Sequence, residues 1–245
     1  MKKIKARSIF ISDLHLGSRH CQVDNLLEFL KNIECNTLYL VGDIIDIWAM
    51  KSKGVYWPPT HNRVLSRLLR LSKKTDIVYV VGNHDEYIRQ FVPNQLGFID
   101  ICNEKLHLTA RGKKLLVTHG DLFDPIVCNH KWMAKIGGRM YEWLITFNRF
   151  FNKVRRSFGL PYWSLSKYVK RKAKTVTGII ENFQGLLLDH AKKKGYEGVV
   201  CGHIHSVACN EPKGYYNCGD WVESCTALIE DEYGNISVFE FDNQD

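Results

Sequence analysis

A chain of 245 residues, 45% of them hydrophobic, can bury one substantial core and carry one elaboration, and it contains no apolar run of the roughly 18 to 20 residues that cross a bilayer. The net charge of +8 is unevenly placed: residues 131–194 hold fifteen Lys and Arg against three acids, and the rest of the chain holds 19 basic and 23 acidic residues. Eight scattered cysteines with no CxxC spacing argue against a disulfide framework or a zinc knuckle and read as reduced thiols.

The basic start, Met1 to Arg7, runs into Ser8-Ile9-Phe10-Ile11-Ser12, which is too short for a signal-peptide core and reads as a first strand over 6–12. A cytoplasmic location is therefore expected. Leu26, Leu27, Leu30 and Ile33 share one face of a helix over 23–34. Thr37 to Val41 is the next strand, a second helix clusters Val64, Leu65, Leu68, Leu69 and Leu71, and Asp76 to Val81 is a third strand. This alternation implies a parallel sheet with right-handed crossovers. Short runs at 98–101, 105–109 and 113–118 suggest antiparallel pairing. Strands near 198–201, 215–218, 225–229 and 236–241 complete the chain, with Asp231-Glu232-Tyr233-Gly234-Asn235 as a hairpin turn. The expected architecture is α/β: two layered sheets flanked by helices, in one domain over 1–245.

Residues 122–190 interrupt this core and read as a helical cap. Ile136, Met140, Trp143, Leu144, Phe147, Phe150, Phe151 and Val154 recur at spacings of three and four, Gly159-Leu160-Pro161 breaks the pattern, and a helix over about 178–194 returns to the sheet. Ten aromatic residues between Trp132 and Tyr168 are interleaved with basic ones, including Lys170, Arg171 and Lys174 just beyond. Such a segment suits an apolar chain with an anionic head group, or an acidic membrane surface. The plainer alternative is aromatic packing beneath a solvated basic face.

Five signatures carry the chemistry: Asp13-Leu14-His15, Gly42-Asp43, Gly82-Asn83-His84-Asp85, His119-Gly120-Asp121 and Gly202-His203-Ile204-His205. Each ends an apolar run, where functional groups gather in parallel sheets. Together they supply carboxylate, amide and imidazole donors without thiolate, a set that suits two divalent ions of the Mn²⁺, Fe²⁺, Co²⁺ or Zn²⁺ kind at a hydrolytic centre. Asp13 with His15, and His203 with His205, are spaced to face one site if the chain stays extended. Asp43 can place one oxygen on each ion. His84 suits a proton donor to the leaving oxygen or a donor to phosphate, with Asp85 orienting its ring. The histidines at 20, 61, 107, 130 and 190 lack such partners and are expected to be structural or at the surface.

In order and context these motifs resemble the calcineurin-like metallophosphoesterases, whose pattern is D-x-H, G-D, G-N-H-D, H and G-H-x-H. The resemblance covers residues 7 to 241 apart from the cap. It implies one ion on Asp13, His15, Asp43 and His205, a second on Asp43, Asn83, His119 and His203, Mn²⁺ as the foremost metal, and hydroxide attack on phosphorus. Asn83 and His84, together with the basic Lys170, Arg171 and Lys174 of the cap, are the expected substrate contacts. Ser12 to Gly17, Gly42 to Trp48 and the long insertion look like the branch of UDP-2,3-diacylglucosamine pyrophosphate hydrolases of lipid A synthesis, which implies a peripheral membrane enzyme on a nucleotide-linked lipid. Members of that branch typically carry Arg at the position of His84, so a soluble phosphodiesterase or nucleotidase stands as the alternative. Nucleic acid is not the expected partner, because nuclease relatives usually carry further domains.

Overall fold

The computed structural model describes residues 3–123 and 174–241. Strands β1 (Ile4–Ile11), β2 (Ile33–Val41) and β3 (Asp76–Val80) run parallel, linked through helices α1 (Val23–Asn32), α2 (Ile47–Lys53) and α3 (Pro59–Leu71). Helix α1 buries Leu26, Leu27, Phe29 and Leu30 and carries Asp24 in its first turn and Lys31 in its last, each suited to the helix dipole. It stops two residues short of the expected span. Ile33, Glu34 and Cys35 pair instead with Ile4, Lys5 and Ala6, and ladder hydrogen bonds override the helical spacing of Ile33. Pro59 opens α3, where its fixed φ suits the first helical turn and its missing N–H costs no bond. Val64 and Leu68 are buried on that helix, whereas Leu69 is half exposed.

Period-two alternation along the strands makes two apolar layers. Ile9, Ile11, Leu38, Leu40, Ile77 and Tyr79 pack in a cluster with the buried residues of α1 and α3. Their neighbours Phe10, Tyr39, Val41, Val78 and Val80 turn the other way, against Leu115, Val117, Val200 and Tyr216 of a second sheet.

The seven-stranded sheet has the order β12-β11-β1-β2-β3-β5-β4, with β4 (Asn94–Leu96), β5 (Ile99–Cys102), β11 (Thr226–Glu230) and β12 (Ile236–Glu240). The run at 98–101 does not pair antiparallel with its successor: β5 joins β3 in parallel, and only the edge strand β4 runs against it. The second sheet is β6-β7-β8-β10-β9, with β6 (Glu104–Leu108), β7 (Lys114–Thr118), β8 (Gly198–Cys201), β9 (Ala208–Asn210) and β10 (Tyr215–Asn217). Its centre is parallel, β7 to β8 to β10, and its two outer pairs are antiparallel. Asp231–Asn235 closes the β11–β12 hairpin through Asp231 N–H to the Asn235 carbonyl at 3.0 Å.

The chain divides into two compact units, residues 1–121 with 187–245, and 122–186. Helix α4 (Lys174–Lys193) crosses that boundary, and its Leu187 and Ala191 are fully buried. The rest of the expected cap, with Lys170 and Arg171, lies outside the described residues, as does the Lys174 side chain. Among the described residues no helix is long and apolar enough to cross a membrane.

Candidate metal site

Beyond the ends of β1 and β2 the backbones stay side by side, Asp13 N–H donating to the Gly42 carbonyl at 3.0 Å, His15 N–H to Asp43 at 2.9 Å and Leu16 N–H to Ile44 at 2.9 Å. They do so in a turned conformation. Asp13, His15, Asp43, His203 and His205 all have φ between 49° and 69°, the left-handed region that L side chains disfavour. The chain is therefore not extended through Asp-x-His or His-x-His, and the side chains converge because left-handed residues turn them. His205 joins Asp13 and His15 in one group of donors, and His203 joins Asp43 and His119 in another, with donor atoms in each group within 4.8 Å of one another.

The signature glycines are required by contact. A Cβ on Gly42 would stand 2.3 Å from the His119 ring, one on Gly82 2.2 Å from Asp43 Oδ1, and one on Gly202 1.8 Å from Ser12 Oγ.

In the first group, His205 Nε2 lies 3.1 Å from Asp13 Oδ1 and 3.4 Å from His15 Nε2. In the second, His119 Nε2 lies 3.3 Å from Asp43 Oδ2, and the His119 and His203 ring centres are 5.2 Å apart. Asp43 sits between the groups, its Oδ2 also 3.9 Å from His15 Nε2 and its Oδ1 accepting the His84 N–H at 2.7 Å. The Val41 carbonyl accepts from His119 Nδ1 at 2.8 Å, which fixes the tautomer and leaves Nε2 facing the site. Asp13 Oδ1, Asn83 Oδ1 and His119 Nε2 are buried, and among the described residues none makes a hydrogen bond.

Asp46, to which the sequence reading gives no role beyond its place in the Gly42 to Trp48 run, holds two of these rings. Its Oδ1 accepts from His84 Nδ1 at 2.8 Å and its Oδ2 from His15 Nδ1 at 3.2 Å. It also caps α2, accepting the Ala49 N–H at 2.8 Å; a carboxylate just ahead of a helix start was the available signal. Trp48 packs at a tilt against the His84 ring, ring centres 4.6 Å apart. Asp85 does not orient His84. It is fully buried and accepts from Ile44 N–H at 2.8 Å, Gly82 N–H at 2.6 Å and the Tyr79 hydroxyl at 2.5 Å, pinning the loops that carry Asp43 and Asn83. Arg89, also outside the sequence reading, ties its guanidinium to Asp121 at 2.6 Å.

A family model of calcineurin-like phosphoesterases matches residues 6–207. The chain belongs to that family. It is a hydrolase, and calcineurin-like phosphoesterases use divalent metals. This phosphoesterase is 32% identical over 247 residues to a UDP-2,3-diacylglucosamine hydrolase of Neisseria meningitidis, covering 94% of this chain and 95% of that one. It is 28% identical over 228 residues to the protein of the same name from Psychromonas ingrahamii, covering 88% and 89%. Among solved structures it is similar to Vacuolar Protein Sorting 29 of Cryptosporidium parvum, with a TM-score of 0.47, 14% identity and coverage of 96% and 97%.

In the phosphoesterase site, buried carboxylates and imidazoles hold one another in their charged forms. Burial opposes ionisation of Asp13, yet His205, His15 and His119 beside it hold its carboxyl well below the usual range. Asp43 is likewise buried and held low by His119, His84 and His15, and Asp46 by its bonds from His15 and His84. Conversely, burial disfavours the imidazolium of His119, but Asp43 drives it up to about 10; His15 and His205 are raised by Asp13 and its neighbours in the same way. Asp85 moves up, through burial and then the charge of Asp43, as suits a carboxyl used for support. Cations bound here would replace the protons on the imidazoles. Asp13 Oδ1 and His119 Nε2, which face the charged neighbours His205 and Asp43 respectively, and Asn83 Oδ1, which makes no hydrogen bond, are hard and intermediate donors that fit divalent metals.

Proposed function

We propose that this phosphoesterase uses two divalent cations to hydrolyse a phosphoanhydride or phosphoester, with UDP-2,3-diacylglucosamine or a similar nucleotide-linked lipid as substrate. The observation that carries the reading is the convergence of donors from five strand ends, most of them buried and three of their buried atoms making no hydrogen bond. Asp13, His15, Asp43 and His205 would hold one ion, and Asp43, Asn83, His119 and His203 the other, with Mn²⁺ foremost and Fe²⁺, Zn²⁺ or Co²⁺ as substitutes. Bound there, the pair supplies Lewis acidity and lowers the pKa of a water for attack on phosphorus.

The remaining work belongs to the chain. His84 gives Nδ1–H to Asp46, so Nε2 is directed toward Asp43, 3.9 Å from its Oδ2. A proton on Nε2 is then available to the leaving oxygen or to a phosphoryl oxygen. Asp46 keeps that ring and His15 in register, and Trp48 blocks the ring from tilting. Asp85 contributes by holding the Asp43 and Asn83 loops rather than by touching substrate. Lys170, Arg171 and Lys174 of the cap, which spans 122–190 in this reading, guide the anionic head group and seat the enzyme on an anionic membrane surface.

The names of the two curated relatives support the lipid-linked substrate. His84, in place of the Arg typical of that branch, favours the second reading, a soluble phosphodiesterase or nucleotidase of small molecules. Turnover of detergent-dispersed UDP-2,3-diacylglucosamine and of bis(p-nitrophenyl) phosphate, each with Mn²⁺, separates the two. Release of UMP from the lipid is expected; turnover of the aryl ester alone removes the lipid assignment.

A further inference from the structure

Asp13 and His119 belong to different donor groups, yet a short polar chain joins them. The fully buried Ser12 hydroxyl lies against Asp13 Oδ2 and 2.7 Å from the Val41 carbonyl oxygen, the same oxygen that accepts from His119 Nδ1. Asp13 Oδ2 also accepts the His203 N–H at 3.0 Å. The two oxygens of Asp13 are thereby unequal: Oδ2 takes a hydroxyl and a backbone N–H, and Oδ1 makes no hydrogen bond and faces the candidate ligand His205, whose Nε2 is 3.1 Å away. Gly202 closes the remaining side, because a Cβ there would stand 2.6 Å from Oδ2 as well as against the hydroxyl. A hydroxyl has one proton to donate, and a bond to an ionised carboxylate is roughly twice as strong as one to a neutral carbonyl.

We propose that Ser12 is a positioning residue whose hydroxyl pins Asp13 Oδ2, so that Oδ1 alone is offered to the cation of the Asp13, His15 and His205 group. The inference rests on the two-cation reading above. Removing the hydroxyl leaves Oδ2 held by the His203 N–H alone, which loosens the carboxylate and spreads the aim of Oδ1. The Asp43, His119 and His203 group is touched through the Val41 carbonyl, whose bond from His119 survives, and through the His203 backbone N–H, which keeps Asp13 Oδ2 as its acceptor.

The test uses the whole chain, freed of metal by chelation and dialysed to equilibrium against Mn²⁺. Wild type is expected to take up two ions. Ser12→Ala is expected to weaken one of them about 10- to 100-fold and leave the other within about twofold, the range seen when a partner behind a ligand is lost. Ser12→Thr, which keeps the hydroxyl, is expected to restore the weakened ion. Ser12→Cys keeps a side chain of similar size with a weak donor, should weaken the same ion, and decides the matter if the alanine variant does not fold. Both ions held as in wild type, or both weakened alike without rescue by threonine, overturns the role of Ser12. Failure of wild type to bind two ions overturns the two-cation reading, and this inference with it.

Discussion

Near the middle of β1, Arg7 and Ser8 border a buried carboxylate, Glu230 of β11, whose oxygens are both occupied. Oε1 takes Arg7 at 3.0 Å and the Ala110 N–H at 2.8 Å, and Oε2 takes His107 Nε2 at 2.9 Å, while His107 Nδ1 meets the Tyr39 hydroxyl at 3.1 Å. Phe10 stacks on Tyr39 with centres 4.7 Å apart and meets His107 edge-on, so this cluster is a strut sealed between the two sheets. Only a few residues further along the chain the Asp13 cluster uses the same residue types to the opposite end. Its backbone is strained, five of the six non-glycine positive-φ residues among those described being candidate ligands, and three of its buried polar atoms make no hydrogen bond. Buried polar groups in folded proteins are nearly always paired, because an unpaired one costs about 1–3 kcal/mol. Burial with every polar atom hydrogen-bonded therefore fits the strut as structure, and burial under strain with hydrogen bonds left unmade makes the second cluster the candidate coordination shell.

Substitutions in the two clusters should give opposite signatures. The largest effect is expected at Asp43, which sits between both donor groups: Asp43→Ala should remove metal and lower turnover by about 10³ or more, as measured by bound Mn²⁺ and kcat, since metal centres supply several kcal/mol of transition-state stabilisation. His84→Ala should keep the metal and slow turnover by about 10² to 10⁴. Unchanged kcat would remove His84 from proton transfer. Glu230→Ala should leave kcat per folded molecule near wild type but lower unfolding free energy in urea by about 2–4 kcal/mol, because His107 and Arg7 lose the anion they face. Equal losses of activity and stability at Glu230 would erase the distinction between the clusters.

The smallest effect is on pH dependence. His15, His119 and His205 have raised values in the folded site, so the stability they contribute is fully present below the unfolded histidine value, about 6.5, and is lost as pH rises. For His119 that loss extends to about pH 10. Asp13, Asp43 and Asp46 are lowered, so their contribution is present above the unfolded value, about 3.9, and is lost as pH falls below it. Chelated protein should accordingly show a falling melting temperature from pH 6.5 toward 10. Added Mn²⁺ should flatten that slope, since the cations take over the role of the protons.

Much of the molecule was legible beforehand, for identifiable reasons. The apolar runs ending at Asp13, Asp43 and Asn83 were readable as strands because their residues are β-branched and bounded by polar loops, and helix α3 because its apolar residues share one face. The parallel direction of β5 was not readable, because it depends on β4 taking the edge position between β3 and β5 in the chain. The early end of α1 was hidden for a related reason: the partner of Ile33 is Ile4, 29 residues away. The roles of Asp46, which stands in the Gly42 to Trp48 run, and of Arg89, which stands in no motif, were not readable, because the rings and carboxylate they hold are brought to them only by folding.

Residue chemistry and order along the chain determined which donors exist here and that they gather at strand ends, since alternating apolar segments can only bury themselves as a layered sheet with polar loops at its rim. Folding alone decided who faces whom. Left-handed backbone brings Asp13 and His15 into one group but parts His203 from His205, and glycines at 42, 82 and 202 let segments far apart in sequence touch. That is why Asp46 rather than the adjacent Asp85 holds His84: adjacency in sequence fixes a peptide bond, while the direction of a side chain depends on backbone angles and on what packs against them.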